Sequence, residues 1–389
     1  MSPFWALVCG CLAALVAFVG VFLWLAIRRR GMDQWIVPYA LSAGKRSKSA
    51  SGSPVHVLLC IADHYEPQHG KVRPEQSAAR VASWVGNYPR LFSRFRDSDG
   101  RSPRHSFFFP LDEYDRSHVD RIAELCRAGH GEVEVHLHHD HDTSEGLRQR
   151  LLADTKMFRD RHGLLPRHKQ TGELRYGFIH GNWALDNSRP DGRWCGVNNE
   201  LDVLRETGCY ADFTMPSAPS ATQTRKINSI YYAIDDPCKP KSHDWGIDVG
   251  SAPPPANGLL LIQGPLLLDW SRRKGGVVPR VENACIQGNQ VPSMNRLDLW
   301  LRARVQVPAR PDWFFVKLHT HGAPEANQAV LLGDPMVQFH SALAERRARD
   351  SGFHYHYVTA REMYNLVKAA EAGWKGTVDE ARNYELIWE

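Results

Sequence analysis

Residues 55–67 read VHVLLCIADHYEP. The first eight, VHVLLCIA, are an almost wholly apolar run of strand length, the pattern of a strand buried on both faces. Chemistry begins where the run stops, at Asp63, His64, Tyr65 and Glu66. The same arrangement recurs downstream. Residues 132–138 alternate as a strand and lead into His136-Leu137-His138-His139-Asp140-His141-Asp142. Residues 176–179 end in His180-Gly181-Asn182-Trp183, and residues 313–318 end in His319-Thr320-His321. Each time, an apolar strand delivers Asp or His at its C-terminal end.

Between these strands the period changes. Helical patterning or capping residues mark 74–95, 117–128, 143–162, 198–206, 293–304, 334–349 and 360–371. Thr359 and Glu362 have capping-box spacing. Further strands are expected at 106–109, 211–215, 259–263 and 354–358. Alternating strands and helices predict a parallel sheet covered by helices. About seven such units suit a distorted (β/α)7 barrel, whose active site lies at the C-terminal strand ends. The rival is an open doubly wound sheet, but the first strand lacks its GxGxxG turn. Residues 217–258 and 270–292 are rich in Pro, Gly and Ser and read as loops decorating one face.

Phe4 to Ile27 carries no charge. Its length gives about 36 Å of helix, enough to span a bilayer core. A cleaved signal peptide is the alternative, but no Lys or Arg precedes the run. Arg28, Arg29 and Arg30 follow at once. The positive-inside rule then places the folded part in the cytoplasm, with a periplasmic placement as the less favoured orientation. The expected organisation is an anchor with a basic flank over 1–30, a linker over 31–54 and a barrel domain over 55–389. The expected location is the inner (cell) membrane, crossed once.

Composition narrows the classes. The chain of 389 residues is 43% hydrophobic and 23% charged, which excludes disorder and low-complexity scaffolds. A net charge of +5, without an aromatic-basic signature or zinc-finger spacing, gives no support for nucleic acid as a partner. The eight cysteines contain no CxxC pair and read as free thiols of a reducing compartment.

Four His and two Asp fall within residues 136–142. On a strand His136 and His138 share a face, and Asp140 and Asp142 can turn back toward the same centre. Mixed imidazole and carboxylate donors suit a divalent transition metal, Zn before Mn, Co or Fe. GxSxG and HExxH are absent, so neither the nucleophile-elbow route nor a zincin has support.

These motifs resemble those of polysaccharide deacetylases, the NodB-homology domain of carbohydrate esterase family 4. The resemblance implies a distorted seven-unit barrel and metal-dependent removal of N- or O-acetyl groups from sugars. It places Asp63 at the family's catalytic base and His64 at the first metal ligand, with Glu66 as an alternative ligand. His138 and Asp142 match the second motif, with Asp replacing the second His, and His136 stands beside them. Leu318-His319 matches the late Leu-His motif, which makes His319 or His321 the acid that protonates the leaving group. His180, Asn182 and Trp183 occupy the place of the third motif and are expected to meet substrate. Trp194, Trp245 and Trp270 lie in loops where indole faces could stack on sugar rings.

The expected substrate is therefore a surface glycan or its lipid-linked precursor, the latter favoured by a cytoplasmic domain. Proteins of a polysaccharide-assembly complex are possible partners. Two other readings stand beside it: a metal-dependent phosphoesterase, and a catalytically degenerate barrel that binds glycan or organises such a complex.

Overall fold

The computed structural model describes residues 3–44 and 54–388. The chain is a mixed α/β protein built on one ten-stranded, mostly parallel sheet. Its strands are β1 (Val55–His64), β2 (His105–Pro110), β3 (Gly131–Leu137), β4 (Tyr176–His180), β5 (Cys209–Asp212), β6 (Ile230–Ile234), β7 (Ile247–Asp248) and β8 (Gly258–Ile262). A separate hairpin, β9 (Leu267–Lys274) and β10 (Val278–Glu282), precedes β11 (Trp313–Thr320) and β12 (Phe353–Tyr357). The sheet order is β11-β1-β2-β3-β4-β5-β8-β6-β7. The contacts from β11 to β8 are parallel, and β6 and β7 run antiparallel at the far edge.

β1 is the hub. One edge pairs with β11 from His56 to Asp63. The other pairs with β12 over residues 55–59 and with β2 over 62–64. Its alternation sorts two cores. Val57, Leu59 and Ile61 pack with α3 (Pro74–Phe92) and α4 (Arg116–Leu125), through Trp84, Val81 and Ile122. Leu58, Cys60 and Ala62 face the other way, toward Phe108, Ile179, Phe213, Phe315 and the apolar face of the final long helix, Ala360–Glu371. That helix opens with the expected capping box of Thr359 and Glu362. α5 (Ser144–His162) starts at Thr143, whose side chain accepts from Gly146 N, and ends at left-handed Gly163.

No closed ladder forms among the described residues. Between β8 and β11 the strands meet without pairing: just past β8, a Cβ at Gly264 would collide with Lys317 O of β11, and Lys317 Nζ donates at 2.6 Å to Phe213 O just after β5. The outer edge of β11 is instead bonded by residues 284–286 and by Val305. The stretches expected as loops over 217–258 and 270–292 contain β6, β7 and the hairpin. The hairpin is largely exposed beyond its buried start and has a register shift between Asp269 and Arg273, whereas β6 is a short apolar run, IYYAI, buried over residues 230–233.

α1 (Pro3–Arg28) is long and apolar enough to cross a membrane; Leu7–Arg28 has mean hydropathy 2.6, a profile that a signal sequence shares. Residues 31–42, expected as part of a linker, pack on the domain. Trp35, just before α2 (Ile36–Leu41), is fully buried among Met32, Ala218, Leu266 and Leu268. Gly31 is left-handed, and a Cβ there would strike Pro219 O, so only glycine makes this turn. The rest of the expected linker, 45–53, lies outside the described residues.

Candidate metal centre

Parallel register brings five strand ends together. Ala62 stands beside His319, Leu137 beside His180, and Pro110 beside His136. Just beyond them the chain places Glu66 at the middle of an imidazole cluster. Glu66 Oε1 lies 3.1 Å from His136 Nε2, 3.6 Å from His138 Nε2 and 3.9 Å from His321 Nε2. Glu66 Oε2 is 2.8 Å from His69 Nδ1. His64 stacks on His321 at 4.6 Å and lies 4.5 Å from the Trp183 ring. One donor atom from each of His64, Glu66 and His136 lies within 4.8 Å of the others.

The electrostatics suit a cation. His64 is fully buried and neither of its ring nitrogens has a hydrogen-bond partner. A buried, unsatisfied imidazole is costly unless something takes its lone pair. Burial, reinforced by His321, His136 and His319, holds its pKa well below that of an ordinary histidine, so the ring is neutral. Burial alone would raise Glu66, but hydrogen bonds to His136 and His69 outweigh it and hold the carboxyl far below its usual range. A neutral His64 beside the Glu66 carboxylate matches the protonation states that metal ligands require.

The rim holds two histidines of opposite character. Burial opposes charge on His138, but Asp112 Oδ2, 3.0 Å from Nδ1, together with Glu66 and Glu113, raises its pKa. His321 is lowered, chiefly by burial. The side chains of His138 and His321 keep 24% and 29% exposure, so both can meet a solute.

The other expected residues are placed as follows. Asp63 points to the opposite face of β1 from His64, as strand alternation demands. Its oxygens accept from Gly322 N at 2.6 Å and meet His105 Nε2 at 2.8 Å, so it faces α3 and not the cluster. Asp142 is not brought to this centre either. Left-handed His141 turns the chain, and Asp142 accepts from Thr143 N and lies 3.5 Å from His139 Nδ1. His180 is fully buried beside Glu200 and does not reach the rim. Asn182 is half-buried; Trp183 covers His64 and meets His319 edge-on at 5.0 Å. His319 is buried with Nδ1 unpartnered. Trp245 and Trp270 are exposed, and Trp194 lies under Arg189.

Asp112 escaped the sequence reading. It follows the apolar run HSFFFP of β2, the same strand-end placement that marks the histidines, but without a neighbouring cluster. No protein-family model matches the chain, and comparison with curated proteins finds no match.

Proposed function

We propose that the chain is a metal-dependent hydrolase that removes acetyl groups from an N- or O-acetylated sugar at a membrane. The observation that carries this reading is His64, buried with both ring nitrogens unpartnered beside Glu66 and His136. We read the open sheet as a distorted (β/α)7 barrel, because β8 and β11 approach across the gap at Gly264 and Lys317. The site then falls where such barrels carry chemistry.

In this reading His64, Glu66 and His136 hold a divalent transition metal, Zn before Mn, Co or Fe. When bound, such an ion lowers the pKa of water and polarises an acyl oxygen. The chain's own residues handle the protons. Environments that push two titratable groups apart assign acid and base. His321, held neutral, takes a proton from attacking water. His138, kept protonated by Asp112, delivers one to the leaving amine or alcohol. Asp63 is a positioning residue, fixing Gly322 next to His321. Trp183 gives an aromatic wall beside the centre for a sugar ring. With the basic flank in the cytoplasm, the favoured substrate is a lipid-linked precursor.

The test is acetate release from N-acetylated oligosaccharides by the full chain in detergent. Release that a chelator abolishes and Zn²⁺, Mn²⁺ or Co²⁺ restores is expected. Tight glycan binding by metal-loaded protein without acetate release would overturn the enzymatic reading and favour a glycan-binding barrel.

A further inference from the structure

A second group of donors shares no residue with the first. His139 follows β3, His180 closes β4, Cys195 lies in the loop after β4, and Glu200 opens α6 (Glu200–Glu206). All four are buried, and one donor atom of each lies within 4.8 Å of the others. Glu200 Oε1 is 3.0 Å from His139 Nε2 and 3.8 Å from His180 Nε2. Glu200 Oε2 is 3.4 Å from Cys195 Sγ. His180 Nε2 is buried without a hydrogen-bond partner.

A tetrahedron with ordinary Zn–N, Zn–O and Zn–S bond lengths has edges of about 3.3–3.8 Å. The two separations from Glu200 Oε1, 3.0 and 3.8 Å, fall near or within that range, and one donor atom of each of the four residues lies within 4.8 Å of the others. We propose that His139, His180, Cys195 and Glu200 form a second metal site, a structural zinc site closed to solvent. Four protein donors leave no open position, and the thiolate selects zinc over hard cations. The first centre has no sulfur donor and opens to the rim, so the two sites differ in chemistry and in role.

The role follows from chain order. Between His180 and Glu200 the backbone is repeatedly left-handed, at Trp183, Asp186, Asn187, Gly192, Trp194 and Gly196. Such a loop is expensive to hold in one shape. The four donors come from before, within and just after it, so one ion pins the loop that lays Trp183 on His64. The surroundings supply orienting contacts: Asp142 faces His139 Nδ1 at 3.5 Å, and Glu200 Oε2 also accepts from Asp186 N at 2.5 Å. The competing arrangement is a metal-free network. In it Asn182 N donates to His180 Nδ1 at 3.3 Å, and Nε2 carries its proton toward Glu200.

Cobalt(II) separates the two, because only the second site would give a thiolate-to-cobalt charge-transfer band. The full chain in detergent is stripped, loaded with Co²⁺ and examined by absorption. The expected result is a thiolate band in the wild type and in His136→Ala, absent from Cys195→Ser, with His136→Ala binding one cobalt fewer than the wild type. A wild-type spectrum without the band, or a band that survives in Cys195→Ser, would overturn the proposal. The wild-type spectrum decides even if Cys195→Ser does not fold. Failure of the first centre alone would equalise cobalt content in wild type and His136→Ala and leave the band in place.

Discussion

Glu66 Oε1 lies 3.1 Å from His136 Nε2, although the two residues are seventy positions apart in sequence. The contact joins the turn after β1 to the end of β3 across the intervening β2. It makes Glu66, rather than either aspartate expected from the motifs, the carboxylate at the heart of the cluster.

Asp112 should tune the acid. Replacing it by Asn removes the partner that raises His138. A general acid works only while protonated, so activity is lost as pH rises through its pKa. Asp112→Asn should move the alkaline limb of the pH–rate profile to lower pH and cut turnover by about 10–100-fold, the usual cost of losing an orienting partner. An unchanged limb would remove His138 from that role.

Asp63 should act on stability and position. Its carboxylate satisfies Gly322 N and meets His105, all buried. Asp63→Ala should cost about 1–3 kcal/mol in urea unfolding, the penalty for stranding buried polar groups. Gly322→Ala should also destabilise, because its Cβ would enter the Asp63 carboxylate. Full stability with complete loss of turnover in Asp63→Ala would instead make Asp63 the base.

Acid should destabilise the fold through buried neutral histidines. Burial pushes His340 from 6.5 down to about 3, and its Nδ1 lies 2.8 Å from the Tyr357 hydroxyl. Between those values the unfolded chain binds a proton that the folded chain refuses. Stability therefore rises with pH across this window and is lost as pH falls below the unfolded pKa, by about 1.4 kcal/mol per pH unit for a whole proton. His340→Gln should flatten the fall in urea midpoint from about pH 6 to about pH 4 relative to wild type. Identical slopes would contradict this.

Trp35 should tie the membrane-proximal segment to the domain. It is fully buried in a small cluster of its own. Trp35→Ala should cost about 3 kcal/mol, local to this cluster. Limited proteolysis should then cut within residues 31–42 before the sheet unfolds. Resistance equal to wild type would mean that this packing does not hold the segment.

Much of the frame was legible because its signals are local. The apolar runs at 55–62 and 313–318 are β1 and β11, and Thr359 caps its helix as its spacing implies. The polar strand ends led to His64, Glu66, His136, His138 and His321. Strand alternation also held a correction that the motif match hid: His64 shares a face with Ala62, so Asp63 must face the other way. Asp112 and Glu200 were illegible for a different reason. Each is one acidic residue in a loop or at a helix start, and its partner is supplied only by the fold. In 217–258 the strand β6 is only five residues, IYYAI, within a stretch rich in Pro, Gly and Ser, and in 270–292 the hairpin is charged and largely exposed, so neither shows the apolar pattern of a full-length core strand.

The most direct measurement is the transition-metal content of the purified full chain beside His136→Ala. The account predicts that the wild type carries one more metal ion per chain than the variant, and that a chelator removes it together with acetate release. Equal metal content in the two proteins, after loading with Zn²⁺ or Mn²⁺, would contradict a centre built on His64, Glu66 and His136.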